Sequence, residues 1–368
     1  MLVIQVIFTV FVIVFFIQLG YYFGIFSFFI FDSKKSLDVS EEIPVSIIIA
    51  AKNEASNLTE NLPFLALQEY RNFEIILVND HSTDETLNVM QRFKKAHPKL
   101  KIKIIDLKNN SEGNKKNALS KAIAQASYPN LLFTDADCKP KFKYWIALMT
   151  AHFRSKEIVL GYGAYQKIKN SWLNKIIRFE TLITAIQYFS YAKIGIPYMG
   201  VGRNLGYKKK LFIDNNGFET HKGVLSGDDD LFINAVATKK NTVICYDKKA
   251  HTISKVHADF KKWLHQKKRH ITTAGSYQFK HQLLLGLYYV SNVVFWVLSF
   301  VLLVISPNVI LVFLFLLKLA IQYFYFYKAS KKLDEKDLII FTPILELFLI
   351  SIQMYLFISN ILVKPKSW

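Results

Sequence analysis

Apolar runs stand at both ends of this chain and enclose a long polar block. No charged residue occurs between Leu2 and Phe31, and the sequence turns apolar again after residue 283. A helix needs about 20 apolar residues to cross the hydrocarbon core of a bilayer. We predict one spanning helix in residues 1–31, a polar domain in residues 32–282 and about three spanning helices in residues 283–368, at Leu284–Ile305, Val309–Tyr327 and Leu338–Leu362.

The first apolar run could instead be a cleaved signal peptide. It lacks a basic start and a small-residue cleavage site, and it is too long for that role. Lys318, Gln322 and Glu346 lie inside the later runs, and we expect them to face protein or snorkel rather than face lipid.

Charge distribution predicts the orientation of the chain. The polar block carries 40 basic and 24 acidic residues, and basic residues near span ends stay on the cytoplasmic side. We therefore expect an integral protein of the cell membrane, with a cytoplasmic polar domain and an outside N-terminus. Hydrophobic residues make up 52% of the chain, which excludes intrinsic disorder.

Within the polar block, short apolar runs alternate with helical patterns. The runs typical of buried strands are Val45–Ala50, Phe73–Val78, Lys101–Leu107 and Asn130–Thr134, and the helical patterns are Asn57–Gln68, Asp84–Ala96 and Lys115–Ala126. This alternation predicts an α/β fold with a mostly parallel sheet covered by helices. Such sheets bind ligands beyond the carboxyl ends of their strands, so the residues that follow each strand are candidates for a site.

Asp135 and Asp137 follow the fourth predicted strand, one residue apart. Two carboxylates so close repel each other unless a cation compensates them, and Mg²⁺ is typically held by one or two carboxylates and substrate phosphates. We predict a metal–diphosphate site here, although Asp residues before Pro140 could also form a simple turn.

Three further side chains are candidates for donor binding. Asp80 ends the second strand and could accept a hydrogen bond from a nucleotide base. The alternative is that this turn only caps the next helix, through Ser82, Thr83 or Asp84, and both can hold with Asp84 as the cap. Glu54 follows the first strand, where the alternative is a surface turn. Lys115 opens a helix, whose N-terminus favours anions, although it could also be one more solvated lysine.

A second acidic cluster comprises Asp228, Asp229 and Asp230. Carboxylates before a helix can simply favour its dipole. The alternative is catalytic, because a carboxylate beside other carboxylates has a raised pKa and is a better general base. We predict Asp229 as the base and Asp228 as its neighbour.

A basic segment, Phe260–His270, precedes the C-terminal membrane region. It could be an interfacial helix attracted to anionic lipid, with Lys261, Lys262, Lys267 and Lys268 facing the headgroups. Gln266 and Arg269 share one helical face, and Arg269 could bind a diphosphate. The two interpretations are compatible.

Taken in order, these motifs resemble the membrane-integrated family 2 glycosyltransferases, which include cellulose, chitin and hyaluronan synthases and ceramide glucosyltransferase. The matching motifs are Asn79-Asp80-His81-Ser82, Asp135-Ala136-Asp137, Gly227-Asp228-Asp229 and Gln266-Lys267-Lys268-Arg269-His270. The resemblance implies a GT-A fold, which is Rossmann-like, with a nucleotide-sugar donor, Mg²⁺ or Mn²⁺, and inversion at the anomeric carbon. It also implies that Gln266 and Arg269 close over the donor.

The resemblance also suggests an acceptor side. Family members line it with segments similar to Gly202-Arg203-Asn204, and His270 stands where the family has a Trp near the acceptor sugar. Asp228 stands where the family more often has a Glu. An amphipathic helix is predicted at Ser171–Lys193, where its apolar face could contact either the core or the lipid interface.

The expected activity is transfer of a sugar, from a UDP-sugar by family likeness, to a membrane-associated lipid or glycan. The His270 departure and the small number of spans favour a single transfer over a processive polysaccharide synthase, which is the alternative.

A membrane-anchored module that binds polyanions is a further alternative, because the polar block is basic. We expect no nucleic-acid partner, since acidic residues cluster at the strand ends and would repel one. A transporter would carry its functional polar groups inside the spans, whereas here they lie in the polar block.

Overall fold

The computed structural model describes residues 2–33, 38–39, 41–107, 114–224, 226–256 and 259–362, except for the side chains of His270 and Ile361. Its strands are β1 (Val45–Ala51), β2 (Phe73–Asp80), β3 (Lys101–Leu107), β4 (Asn130–Phe133), β5 (Cys138–Pro140), β6 (Ile158–Gly161), β7 (Gly163–Tyr165), β8 (Leu205–Lys208), β9 (Thr242–Cys245) and β10 (Thr252–Ser254).

The α-helices fall into membrane and domain groups. They are α1 (Leu2–Leu19), α2 (Ser27–Ile30), α3 (Ala55–Asn61), α4 (Pro63–Ala66), α5 (Thr86–Ala96), α6 (Lys115–Gln125), α7 (Trp145–Thr150), α8 (Trp172–Ile194), α9 (Lys209–Asp214), α10 (Asp230–Val236), α11 (Phe260–Ala274), α12 (Phe279–Ile305), α13 (Val309–Leu333) and α14 (Thr342–Leu362). A π-helical segment, Gly20–Phe26, joins α1 to α2.

A seven-stranded sheet forms the centre of the polar domain, in the order β3-β2-β1-β4-β8-β6-β9. Strands β1 to β4 are parallel, as predicted, while β8 pairs antiparallel with both β4 and β6. A small second sheet has the order β5-β10-β7. The carboxyl ends of β1, β2 and β4 therefore meet at one edge.

Local sequence explains where two of the predicted helices differ. The predicted helix Asn57–Gln68 is divided into α3 and α4, because Pro63 cannot continue a helix and instead begins the next one. Helix α5 begins at Thr86 with Glu85 as its N-cap, so Asp84 is not the cap that was expected; its carboxylate accepts the Thr86 N–H at 3.0 Å from the turn before the helix.

Within the described residues, four helical segments are long and apolar enough to cross a membrane: Leu2–Ile30, Phe279–Ile305, Val309–Leu333 and Lys336–Asn360. The long apolar helices expected at both ends of the chain are thus present. Helix α1 packs on α12, where the rings of Phe11 and Phe295 stack at 5.3 Å. Lys318, Gln322 and Glu346 are buried against protein, as expected, and the Lys318 ammonium donates to Gln322 at 2.6 Å.

Helix α8 joins the polar domain to the membrane helices. Its apolar residues Ile176, Phe179, Leu182 and Phe189 are buried in the main core rather than facing lipid, so core packing explains its amphipathic pattern. It also carries Arg178, which is 2% exposed and binds the turn between α13 and α14. The Arg178 guanidinium donates to Glu335 at 2.9 Å and to both carboxylate oxygens of Asp337 at 2.6 and 2.8 Å.

Candidate active site

A cavity of about 490 Å³ opens at the carboxyl ends of β1, β2 and β4 and continues towards α8, α11 and α14. Its walls include these residues predicted from the sequence: Glu54, Asp80, Lys115, Asp135, Asp137, Gly202, Arg203, Asp228, Asp229, Gln266 and Arg269. The fold therefore brings together motifs that are far apart in the chain.

Asp135 and Asp137 lie in the turn between β4 and β5. The Asn61 amide on α3 donates to the carbonyl of Ala136 at 2.9 Å and so fixes this turn. Burial and the nearby charge of Asp135 raise the pKa of Asp137, although Arg203 and Lys115 oppose this effect.

The acidic turn fits a hard divalent cation. Ligand atoms of Asp135, Asp137 and Cys138 lie within 4.8 Å of one another. Burial raises the pKa of the Cys138 thiol well above its usual value, so this sulfur stays protonated. The ionisable oxygens of the two aspartates are the donors that Mg²⁺ and Mn²⁺ prefer.

Asp80 is 1% exposed at the end of β2. One carboxylate oxygen lies 2.8 Å from the His81 ring nitrogen, and the other has no hydrogen-bond partner among the described residues. A buried oxygen without a partner costs free energy, so a ligand N–H in the cavity would stabilise it.

Glu54 lies across the same edge of the sheet, after β1. Its carboxylate accepts the Asn57 amide at 2.6 Å, and its backbone N–H donates to Thr86 at 2.8 Å. Burial raises the pKa of Glu54, and Asp137 and Asp135 add to this effect. Glu54 therefore belongs to the same acidic surroundings as the metal candidate.

Lys115 connects the two acidic clusters. Its ammonium lies 2.9 Å from Asp135 and 3.0 Å from Asp228. We predicted a ligand for the donor diphosphate, and the structure adds that this lysine already pairs with two carboxylates. Asn114 caps helix α6 and thereby positions Lys115 on its first turn.

The acidic residues at the start of α10 differ in their protonation. Burial acts to raise the pKa of Asp228, but the adjacent Lys115 outweighs it and lowers that pKa. Burial and the charges of Asp228 and Asp230 raise the pKa of Asp229 to about 7. Asp229 is thus poised to exchange a proton near neutral pH, next to a carboxylate that stays ionised.

Two backbone N–H groups orient Asp229. Gly202 donates to Oδ2 at 2.6 Å and Asp230 donates to Oδ1 at 2.8 Å. A Cβ at position 202 would lie only 3.3 Å from that Oδ2, so a glycine allows the close approach. Gly202 therefore supports the base rather than only lining the acceptor side.

Asp230 was not singled out by the sequence, yet it links α10 to α11. Its Oδ2 accepts the Thr273 hydroxyl at 2.5 Å and the Tyr277 hydroxyl at 2.8 Å. The residue that follows the base therefore holds the helix that carries Gln266 and Arg269. In the sequence, the signal for this role is only that Asp230 is the third acidic residue in succession.

Helix α11 covers one side of the cavity with Gln266, Lys267 and Arg269. Burial lowers the pKa of Arg269, while Asp228 and Asp135 oppose this effect, so the guanidinium lies in the field of both acidic clusters. The expectation for Lys267 is wrong, because it pairs with Glu180 of α8 at 2.7 Å inside the cavity wall.

Lys268 also departs from the expectation that it faces lipid headgroups. Its ammonium donates to the Ser359 hydroxyl of α14 at 2.8 Å. Lys261 and Lys262 are exposed, as expected of a basic surface.

The residues predicted for the acceptor side have different environments in the structure. Asn204 does not face the cavity; it is fully buried, and its amide bonds to Trp145, Tyr162 and Ala250. Arg203 does line the cavity, with its guanidinium 4.2 Å from the Tyr165 ring. The side chain of His270 lies outside the described residues.

The wall formed by α14 was not expected from the sequence. Leu349, Ile352, Gln353 and Leu356 line the cavity and recur at helical spacing, so they form one face of this helix. A periodic pattern identifies such a face, but nothing in it indicates that the helix returns to the active site.

Comparisons with known proteins agree with this arrangement. The model of the family described as glycosyl transferase family 2 matches residues 46–214. Poly-beta-1,6-N-acetyl-D-glucosamine synthase of Staphylococcus epidermidis is 38% identical over 93 residues, which cover 25% of this chain and 21% of that protein. The synthase of that name from Staphylococcus aureus (strain COL) is 30% identical over 106 residues, 29% of this chain and 24% of that protein.

This chain thus spans between a fifth and a quarter of the length of those relatives. Among solved structures, a mannosyltransferase of Pyrobaculum calidifontis in complex with GDP-Man and Mn²⁺ has a TM-score of 0.61 at 16% identity. The likeness covers 92% of this chain and 96% of that one. It shows a shared fold and confirms the GT-A fold expected from the sequence.

Proposed function

Because residues 46–214 match the family model described as glycosyl transferase family 2, we propose that this protein transfers a sugar from a nucleotide-diphosphate donor to a hydroxyl group of a membrane-associated acceptor. One observation carries the proposal. Asp229 is a half-buried carboxylate with a pKa raised to about 7, and it shares a cavity with the acidic turn at Asp135 and Asp137.

The donor would lie across the carboxyl ends of β1, β2 and β4. The oxygen of Asp80 that has no partner among the described residues would accept the base N–H, and Glu54, which lines the same cavity, would bind the base or the ribose. Gln266 and Arg269 reach the donor from α11 and close over its diphosphate. A UDP-sugar is the donor we propose, and GDP-sugars belong in the same test, because the Pyrobaculum structure holds GDP-Man.

Asp135 and Asp137 would hold a divalent cation, Mg²⁺ or Mn²⁺, which would neutralise charge on the leaving diphosphate. Lys115 keeps the two acidic clusters together through its pairs with Asp135 and Asp228. This leaves Asp228 ionised beside Asp229.

The transfer itself needs one base. Asp229 takes the proton of the acceptor hydroxyl as its oxygen bonds to the anomeric carbon, and the bond from that carbon to the diphosphate oxygen breaks. Attack from the face opposite the leaving group inverts the anomeric centre. The nucleoside diphosphate leaves, and Asp229 returns its proton to solvent.

We place the polar domain in the cytoplasm, as part of an integral protein of the cell membrane with boundaries near residues 31 and 283. The excess of basic residues in that domain supports this orientation. A processive polysaccharide synthase is a second candidate, since the Staphylococcus relatives are named for the synthesis of a polymer.

The experiment is an Asp229→Asn variant, assayed in lipid nanodiscs with a panel of UDP- and GDP-sugars and a membrane lipid extract. We expect kcat to fall by about 10²- to 10⁴-fold, with donor affinity nearly unchanged, because the isosteric amide keeps the shape of the site. Asp214→Asn, at an exposed surface ion pair with Lys210, is the control. Full transfer by the Asp229 variant would exclude this residue as the base.

Mass spectrometry of the products distinguishes the two candidates. A lipid heavier by one sugar indicates single transfer, whereas a ladder of masses indicates a polymer synthase.

A further inference from the structure

The catalytic cavity changes character between its two ends. At the strand edge its walls are carboxylates and cations, whereas towards the membrane they become Met199, Val201, Ile271 and the apolar face of α14. Leu349, Ile352 and Leu356 of that face are buried, at 4%, 8% and 2% exposure. A soluble sugar would gain nothing from such a wall, but a hydrocarbon chain would.

Helix α14 is held in this position along much of its length. Just before α14, the ring of Phe341 packs on that of Trp172 of α8, with centroids 5.2 Å apart. Within α14, the ring centroid of Phe348 lies 6.5 Å from that of Phe260 of α11. Near its end, Asn360 donates to the carbonyl of Lys268 at 3.0 Å. One face of α14 is therefore fixed over the cavity between α8 and α11.

The opposite face of α14 is exposed and apolar. Ile344, Phe357 and Ile358 are 62%, 61% and 54% exposed, in a segment apolar enough to lie in a membrane. The same helix thus has an exposed apolar face on one side and lines the catalytic cavity on the other. A molecule that is itself part of the bilayer would have the shortest path to this end of the cavity.

The charged side chains that line the cavity favour some lipid headgroups over others as the acceptor. Eight carboxylate and five cationic side chains line the cavity. The divalent cation that Asp135 and Asp137 would hold offsets this excess for the donor diphosphate, so a second anion, on the acceptor headgroup, would be left uncompensated. Near the acceptor end, Lys267 is already paired with Glu180. A phosphate headgroup, with a second pKa near 6, would also need no base such as Asp229.

We propose that the membrane end of the cavity is a hydrocarbon-chain subsite formed by Leu349, Ile352 and Leu356, and that the acceptor is a neutral lipid whose headgroup ends in a free hydroxyl. This rests on the proposed function, because Asp229 must take the proton of that hydroxyl. The lipid keeps part of its chains in the bilayer while its headgroup reaches the base. The acceptor oxygen replaces the diphosphate oxygen on the anomeric carbon, and the products are a neutral glycolipid and a nucleoside diphosphate.

The first test measures binding without turnover. Wild-type protein in phosphatidylcholine nanodiscs receives diacylglycerol with a photoreactive group in one acyl chain, and crosslinked peptides are identified by mass spectrometry. We expect crosslinks in α14 and α11 that unlabelled diacylglycerol suppresses. Crosslinks confined to the outer surfaces of α1, α12 and α13 would overturn the subsite.

The second test uses matched double variants in the same helix. Leu349→Ala with Ile352→Ala removes methyl groups from the cavity face, and Ile344→Ala with Ile358→Ala removes them from the exposed face. We expect the KM for diacylglycerol to rise about tenfold or more in the first pair, without the same change in the KM for the donor. The second pair should behave as wild type.

Two results would overturn the proposal while leaving the proposed function intact: equal KM values in the two pairs, or a preference of the wild type for polyprenyl phosphate or a glycan over diacylglycerol. Failure of the wild type to transfer sugar to any acceptor, or to hydrolyse any donor, would instead contradict the proposed function. In that case the crosslinking result still decides whether the subsite exists.

Discussion

At the scale of single residues, the site depends on how charge is shared among neighbouring carboxylates. Lys115 contacts both Asp135 and Asp228, so one ammonium serves two acidic clusters. Asp228 consequently stays ionised, and its charge helps to raise the pKa of its neighbour Asp229. The lysine and the two aspartates therefore act as a unit that sets the pH range of the base.

This unit predicts a defined pH dependence. Asp229 must be ionised to accept a proton, so kcat/KM should fall as the pH drops below about 7, the pKa of that carboxyl. Lys115 opposes the raised pKa, and a Lys115→Gln variant should therefore shift the midpoint to higher pH. The pH profile of kcat/KM measures this, with Lys210→Gln at the surface as the control. A midpoint that stays in place or moves to lower pH would contradict the role of Lys115.

Metal dependence is a second prediction at this scale. Chelation by EDTA should abolish transfer, and Mg²⁺ or Mn²⁺ should restore it in the wild type. Asp137→Asn removes one hard ligand, so added metal should no longer strengthen donor binding, which calorimetry with the nucleoside diphosphate can measure. Asp214→Asn is the matched control, and a metal response equal to wild type in the Asp137 variant would exclude this residue as a ligand.

Much of the catalytic constellation could be predicted from the sequence, because parallel strands bring their carboxyl ends to one edge. Asp80 is the last residue of β2, and Asp135 and Asp137 come just after β4, so the apolar runs alone located them. Asn204 could not be placed in this way, because its amide fills a buried gap beside Trp145 that belongs to no local pattern.

At the scale of elements, α11 is tied to the domain by contacts from several partners. Asp230 of α10 accepts from Thr273 of α11 and from Tyr277 in the link just after it, and Glu180 of α8 pairs with Lys267 of α11. These ties join residues between 43 and 87 positions apart in sequence, so no local pattern predicts them. The strands and long helices themselves could be predicted, because the apolar residues of β1 to β4 and of the membrane helices recur with the spacing typical of each kind of element.

Loosening α11 should weaken donor binding. A Thr273→Val variant removes one of the two hydroxyl donors to the buried Asp230, at a cost of about 1–3 kcal/mol. Because α11 carries Gln266 and Arg269, we expect the KM for the donor to rise several-fold with a smaller change in kcat. Thr272→Val is the control, since that hydroxyl bonds only to the carbonyl of Arg269 among the contacts described. Equal donor KM values in the two variants would show that this tie does not position α11.

At the scale of the whole molecule, one turn fastens the membrane helices to the catalytic domain. Residues 334–337 between α13 and α14 bind Arg178 through Glu335 and Asp337, while Asp334 pairs with Lys141 at 2.7 Å. The Tyr162 hydroxyl, which lies 3.4 Å from Glu335, belongs to a residue that lines the cavity. The turn therefore connects the apolar helices α13 and α14 to the wall of the cavity.

Removing Arg178 should destabilise the junction strongly. An Arg178→Met variant leaves Glu335 buried without its partner, and breaking a buried pair in this way costs about 3–5 kcal/mol. We expect a clear fall in Tm in nanodiscs, partly recovered by adding Glu335→Gln. Arg92→Met, at an exposed position on α5, should leave Tm unchanged. A Tm equal to wild type in the Arg178 variant would show that the turn is held by other contacts.

Helix α14 has one more consequence if the acceptor reaches Asp229 beneath it. The enzyme would then meet its acceptor within a two-dimensional phase, where the relevant concentration is the mole fraction of acceptor among the surrounding lipids. Adding inert lipid to an assay would slow transfer even at a constant bulk amount of acceptor, whereas the water-soluble donor would follow ordinary volume concentration. Two substrates of one reaction would thus obey different concentration scales.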